Sequence, residues 1–388
     1  MTIAPDFSDY AARLRRFIAE AAAEETGAGE RTNEDRFNDL ALELFELQLE
    51  RNAAYRTLCA ARGGWRKPVS HWEHIPAVPA GAFKEFELTS LPPAERTEVF
   101  HSSGTTGDQP SRHFHNAESL ALYEASLLPW FQSHVLPEPG AGGARGAREA
   151  PGGADLVILT PPRTQAPHSS LVYMFEAVCR EFGSPASLFG GTVEANGAWS
   201  LDRDRIQAAL EDSVRAQRPA VLLGTAFNFV HLLDEREQPM PRCQLPSGSR
   251  AVETGGYKGR SRALSKVELR ALIGEGLGIP SSHILGEYGM SELSSQAYDA
   301  VAGRTWHPAG QSRAFRFPPW ARARIVSPET GREVEEGAAG LVQVFDLANL
   351  RSVLAMQTED LGIRRGDGFE LIGRVPAAEP RGCSLSAV

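Results

Sequence analysis

Cysteine is scarce. The 388 residues hold four, Cys59, Cys179, Cys243 and Cys383, with no two close together and none beside His at metal-ligand spacing. A disulfide framework and a structural zinc site are both excluded as the means of folding. No run of 18 or more apolar residues occurs, so nothing reads as a membrane span. The opening Met-Thr-Ile-Ala-Pro-Asp has no basic region and no apolar stretch behind it, so no signal peptide is read and the expected compartment is the cytoplasm. Basic excess is lacking too. Lys and Arg number 40 against 49 Asp and Glu, for a net charge of −9. That argues against nucleic acid or an anionic membrane as partner. It still allows a local phosphate site, which needs only backbone N–H groups and one or two cations. Internal repeats are missing, and so is the Gly-Lys-Ser/Thr of a Walker loop.

A chain of this length buries a large core, either in two or three units or in one large α/β domain. Its hydrophobic content of 42% and charged content of 23% are ordinary for a globular protein. The first 62 residues read as helical. An amphipathic run from Tyr10 to Glu25 is stopped by Gly27 and Gly29, and a second, Asn33 to Arg62, spaces Phe37, Leu40, Phe45 and Leu49 along a helix before Gly63-Gly64. This region is expected to be scaffold. From about residue 76 short apolar runs alternate with helical stretches. The runs are Thr97–Phe100, Leu156–Leu159, Ala220–Leu223 and His283–Leu285, and β-type runs return between Leu341 and Ile372. Such alternation predicts parallel sheets covered by helices, with ligands at the carboxyl ends of the strands. Pro137–Gly153 is too rich in Gly, Ala and Pro to pack a core and reads as a surface loop.

Four short segments lie where such a sheet binds ligands. His101-Ser102-Ser103-Gly104-Thr105-Thr106-Gly107 follows the first run, with Arg112 just beyond. Glycines let the backbone approach a ligand closely, and hydroxyls with successive N–H groups can surround phosphate oxygens. Gly286-Glu287-Tyr288-Gly289-Met290-Ser291-Glu292 offers a ring to stack on a base and a carboxylate suited to Mg²⁺. Met356-Gln357-Thr358-Glu359-Asp360-Leu361-Gly362 offers a carboxylate able to accept ribose hydroxyls, and Gly373-Arg374 adds a cation. Each alone has a plain structural reading: a polar turn between strand and helix, a capped helix start, a solvated turn, a surface arginine.

Taken in order, the four resemble the core motifs of the adenylate-forming superfamily of acyl-CoA synthetases, peptide-synthetase adenylation domains and firefly-type luciferases. The resemblance covers roughly residues 76 to 382. A narrower resemblance is to the LuxE-type acyl-protein synthetases, the fatty-acid-activating component of bacterial bioluminescence reductase systems. It is carried by Ile75-Pro76-Ala77-Val78-Pro79 with Phe83-Lys84, the Ser102–Gly107 loop, Pro167-His168-Ser169-Ser170-Leu171, Gly224-Thr225-Ala226-Phe227, Glu253-Thr254-Gly255-Gly256-Tyr257-Lys258-Gly259 and Arg381-Gly382-Cys383-Ser384-Leu385.

The resemblance implies an α/β chain made of the superfamily's large N-terminal domain, with parallel sheets flanked by helices plus a small β subdomain. Residues 1–370 would form it, with 1–75 its helical part, and 371–388 would be hinge and tail. It implies ATP and Mg²⁺ as cofactors and a carboxylic acid, fatty or aromatic, as substrate. Ser102 to Gly107 would hold the β- and γ-phosphates. Thr254, Gly255 and Gly256 would line the adenine and acyl pocket. Tyr288 would stack on adenine, Ser291 touch the α-phosphate and Glu292 bind Mg²⁺, while Asp360 and Arg374 would hold the ribose. Four departures stand out. Ser291 replaces Thr, Glu359 stands where the family has Gly, Arg112 comes two residues later than the family's Lys, and Val388 ends the chain before the small domain that carries a catalytic lysine. A thiol acceptor is then expected in place of CoA, either Cys383 on the tail or a partner such as a fatty-acid reductase. Two alternatives stay open: an aryl- or heteroaryl-acid adenylating enzyme of secondary metabolism, or a nucleotide-binding protein without turnover. His101 and His168 read as structural, and Phe227, Phe229, Val230 and Leu232 as either acyl pocket or core.

Overall fold

A computed structural model describes residues 6–23, 30–61, 69–102, 109–137, 153–233, 243–255, 264–304 and 313–374. In chain order its helices are α1 (Phe7–Ala23), α2 (Glu30–Arg51), α3 (Ala53–Ala61), α4 (Ala82–Glu85), α5 (Ala117–Val135), α6 (Ser170–Phe182), α7 (Arg203–Ala216), α8 (Ala226–Leu233) and α9 (Lys266–Leu277). Its strands are β1 (Val78–Pro79), β2 (Glu98–His101), β3 (Arg112–His115), β4 (Asp155–Ile158), β5 (Leu188–Phe189), β6 (Gly191–Val193), β7 (Trp199–Leu201), β8 (Ala220–Thr225), β9 (Arg250–Thr254), β10 (Ile284–Tyr288), β11 (Ala297–Tyr298), β12 (Ala321–Val326), β13 (Ala339–Asp346), β14 (Ala355–Arg365) and β15 (Gly368–Arg374).

The first large sheet runs β11-β10-β9-β8-β4-β5 and is parallel except for β11 at its edge. The runs Leu156–Ile158 of β4 and Ala220–Leu223 of β8 are continuously apolar because both faces are buried. Leu156, Ile158, Val221 and Leu223 meet α5 and α6 through Phe131, Phe175 and Val178. The alternate residues, Val157, Leu159 and Leu222, meet α7, α8 and α9 through Ile206, Leu210, Phe229 and Ile273. Phe229, Val230 and Leu232 therefore belong to the core, while Phe227 stacks on His231 along the outer side of α8.

The second sheet is the small β part. Strands β12, β13, β14 and β15 pair antiparallel, and β1 joins β14 in parallel on the edge that β15 occupies farther along. The helices α1 to α3 pack against it, with Leu14, Phe17, Phe37 and Tyr55 in one cluster with Val342, Val344, Phe345 and Met356.

Two local expectations are corrected. The Asn33–Arg62 run is two helices, because the buried Asn52 breaks it. Its Oδ1 accepts from Tyr55 N at 3.0 Å, which caps α3, and its Nδ2 donates to Ser352 O at 3.3 Å. The strand before the Ser/Thr/Gly loop does not lead into a helix. It pairs with β3 in an antiparallel hairpin, His101 opposite Arg112, and residues 103–108 between the two strands lie outside the described residues. Helix α5 starts only after β3, on a capping box made by Asn116 and Ser119. Pro137 begins the Gly-rich surface stretch, of which residues 138–152 lie outside the described residues.

Candidate functional site

The parallel strands end together. The register sets Thr225 beside Thr254 and Thr254 beside Glu287, so the carboxyl ends of β8, β9 and β10 share one rim. Gly255 follows Thr254 with φ +64, a value that favours glycine, and a side chain there would meet nothing within 4 Å. Thr254 Oγ1 donates to Glu287 Oε2 in a short bond.

Tyr288, at the end of β10, joins the two large sheets. Its hydroxyl donates to Asp360 Oδ2 at 2.8 Å. The other oxygen of Asp360 accepts from Arg374 Nε at 3.0 Å. Asp360 and Arg374 are register partners on β14 and β15, so the Asp360 segment is strand and not the polar turn its sequence resembles. The Tyr288 ring lies among Phe315, Phe317 and Phe369, with ring centroids 5.2 to 6.2 Å apart. Burial, then the Asp360 charge, raises the phenol well above its ordinary pKa, so it stays a donor.

Beyond β10 the chain forms no helix before β11, so Ser291 and Glu292 cap nothing. Both are buried, and Ser291 Oγ donates to Glu292 Oε2 at 3.0 Å. Glu292 forms no ion pair with a cationic side chain among the described residues. This segment is held from several sides. Asn349 Nδ2 donates to Glu292 O at 3.0 Å, and His113 Nδ1 lies 2.9 Å from Ser291 O. Asp346, wholly buried, accepts from Ser294 N and Ser295 N at 2.8 Å, Ser295 Oγ at 2.7 Å and Ala348 N at 3.0 Å. Gln48 of α2 reaches the same region, donating to Asn349 O at 2.7 Å and accepting from Leu354 N at 2.8 Å. The helical N-terminal part thus supports the segment that carries Ser291 and Glu292.

At the hairpin, Ser102 Oγ accepts from Ser111 N at 3.0 Å and helps close the mouth of the loop. Arg112 pairs with Glu87 at 3.4 Å and lies over Phe114, on the outer side of the hairpin. Ser103, Gly104, Thr105, Thr106, Gly107, Gly256 and Cys383 lie outside the described residues. His101 and His168 stack with centroids 4.8 Å apart, and His101 N donates to His168 O at 2.9 Å, a contact that ties the hairpin to the segment before α6. Burial, with help from His168 and Arg112, lowers the His101 pKa.

Three groups escaped notice in the sequence. Glu287 is buried between Thr254 and the Glu253–Lys266 pair, and burial pushes its pKa up to about 7. Asp346 and His113 act through backbone atoms of residues far away in the chain. A carboxylate inside the apolar run Ile284–Tyr288 was the available signal for Glu287. Nothing local marked the other two.

No family model matches the chain. It is similar to the long-chain-fatty-acid–luciferin-component ligase of Vibrio harveyi, 25% identical over 362 residues that cover 88% of this chain and 84% of the relative. To the protein of the same description in Aliivibrio fischeri it is 22% identical over 374 residues, 89% of this chain and 86% of that one. In structure it is similar to a 2-hydroxyisobutyryl-CoA ligase seen in complex with 2-HIB-AMP, with a TM-score of 0.62 and 14% identity over 91% of this chain and 69% of that chain. The fold is that of the adenylate-forming ligases, and the resemblance read from the motifs, down to the LuxE-type branch, is the one these comparisons return.

Proposed function

We propose that this chain activates a carboxylic acid with ATP as an acyl-adenylate, that the acid is a long-chain fatty acid, and that the acyl group passes to a protein thiol. The observation that carries the reading is the meeting of Tyr288, Asp360 and Arg374 across two sheets, beside the buried Ser291–Glu292 pair, at the carboxyl ends of parallel strands. The names of the two bacterial relatives support the choice of acid and ligase chemistry. In this reading residues 1–370 form the large domain and 371–388 a hinge and tail, with β15 carrying the sheet on to Arg374.

The residues suit the nucleotide. An ionised carboxylate has about four acceptor sites, and each Asp360 oxygen receives one bond from the groups described, so a ribose diol can donate there without displacing Tyr288 or Arg374. Tyr288 and its phenylalanine neighbours form an aromatic wall for adenine. Thr254, Gly255 and Gly256 border the adenine and acyl pocket, and Ser102 to Gly107 take the β- and γ-phosphates, whereas Arg112, turned to Glu87 and Phe114, has no part in this reading. Glu292 suits Mg²⁺, a hard cation that takes oxygen ligands, because it is a buried carboxylate with no ion pair among the described residues. When bound, Mg²⁺ neutralises phosphate charge as pyrophosphate departs.

The acid's carboxylate oxygen attacks the α-phosphorus as the bond to the β-phosphate oxygen breaks. Ser291 lies against the α-phosphate, and the chain acts mainly by positioning. A thiolate then attacks the acyl carbon and AMP leaves. Cys383, or a thiol on a partner such as a fatty-acid reductase, is the acceptor. ATP–pyrophosphate exchange across fatty and aromatic acids tests this. Exchange with long-chain fatty acids is expected. Exchange with aromatic acids alone would move the substrate class, and none with any acid would refute activation. Acyl-protein that still forms in Cys383→Ser would refute the tail thiol.

A further inference from the structure

The β2–β3 hairpin turns two histidines inward. His113 and His115 are both buried, with ring centroids 4.1 Å apart, while Arg112 and Phe114 between and beside them are only half-buried. Inward positions on a strand normally hold apolar side chains, and a buried imidazole is retained at a cost unless its nitrogens are used. His113 uses one. Its Nδ1 sits 2.9 Å from Ser291 O, and Phe83 packs on its ring. Burial pushes its pKa down to about 4, so the ring is neutral near pH 7. A carbonyl accepts only, so Nδ1 carries the proton.

The hairpin pairs with neither large sheet; β2 and β3 form a two-stranded sheet of their own. Such a ribbon is marginal unless packing and side-chain contacts hold it. Phe100 anchors its base in the core beside Tyr123 and Tyr173. His101 ties it to His168. Among the described residues, the side-chain bond from the hairpin to the segment of Ser291 and Glu292 is the one from His113. That segment is itself fixed from the far side by Asn349 and Asp346.

We propose that His113 is a positioning residue that holds the β2–β3 hairpin, with Ser102 just past the end of β2, against the segment of Ser291 and Glu292, and so fixes the spacing between Ser102 and Ser291. This rests on the acid-activation reading above. Loss of the tether leaves a buried carbonyl unpaired and lets the hairpin shift, and a shift near 1 Å is enough to lower catalysis by about 100-fold.

The test uses the full chain with His113→Phe, His113→Gln and His113→Asn. The Asn amide nitrogen is as many bonds from the backbone as Nδ1 is, so it can remake the bond, whereas the Gln amide lies one bond farther out. Exchange kinetics are measured against MgATP and against the acid, with melting midpoints alongside. Phe and Gln are expected to lower kcat/KM for MgATP by about 10- to 100-fold, to leave KM for the acid within about 2-fold, and Asn to recover to within about 3-fold of wild type. Equal activity in all three variants overturns the proposal. So does a loss in Asn as deep as in Phe, or a parallel rise in both KM values with a lowered midpoint, which marks a purely structural role. If wild-type protein exchanges with no acid, the activation reading fails by itself. The tether is then read by amide hydrogen exchange. Faster exchange in both the hairpin and residues 290–296 in Phe, restored in Asn, supports it, and no change in residues 290–296 overturns it.

Discussion

Glu287→Gln separates the charge of a buried carboxyl from its shape. The carboxyl sits at the end of β10 with Thr254 Oγ1 donating to it, near Glu253 and Lys266. Burial lifts its pKa from an ordinary 4.5 to about 7 in the folded chain. A folded value above the unfolded one means that the native state holds the proton more tightly. The stability contributed is present in full below about pH 4.5 and fades as pH rises through about 7. Integrating the linkage between pH 5 and pH 8 with those two values gives a loss of about 2.5 kcal/mol for the wild type. Gln has nearly the same shape and does not titrate, so its curve lacks this component. Glu253 and Asp346 are present in both proteins, and their contributions largely cancel in the difference. Urea unfolding of both, at half-unit steps from pH 5 to 8, gives the quantity directly. Glu287→Gln should gain on wild type by about 2.5 kcal/mol across the range, with most of the change below pH 7.5. Parallel curves, within about 0.7 kcal/mol, would mean that the carboxyl is already ionised at pH 5. The idea that burial outweighs its hydrogen bond would then be wrong.

Two further perturbations probe the same site from other directions. Tyr288→Phe removes one donor from Asp360 while keeping the ring among Phe315, Phe317 and Phe369. It should raise KM for ATP by about 3- to 10-fold in the exchange assay, the equivalent of roughly 1 kcal/mol, and leave kcat near wild type. Asp346→Ala strands the N–H groups of Ser294, Ser295 and Ala348 without their acceptor. Chemical denaturation should show a loss of about 3–5 kcal/mol, and Asp346→Asn, which retains one acceptor oxygen, should lose less.

What the sequence determined by itself was local and ordered. Runs such as Leu156–Leu159 and Ala220–Leu223 have no polar face, so they had to be strands buried on both sides, and they are. The order of Ser102–Gly107, Tyr288–Glu292, Asp360 and Arg374 along the chain was enough to identify the fold class, because motif order is a property of the chain alone. The tertiary structure decided how those segments meet. Asp360 looked like a turn because Glu359-Asp360-Leu361-Gly362 is polar at one end. It is strand because Arg374 on β15 pairs with it, and that register exists only after folding. The strand before the Ser/Thr/Gly segment became half of a hairpin because Arg112–His115 found Glu98–His101 as its partner, and α5 begins only after that pairing. Asn52 broke a helix because Ser352 and Tyr55 use its side chain. The positions of His113 and Asp346 had no sequence signature, since their partners are mostly backbone atoms, which every residue carries. Glu287 was visible as a charge in an apolar run, but its protonation depends on the burial and the neighbours that only the packed sheet provides.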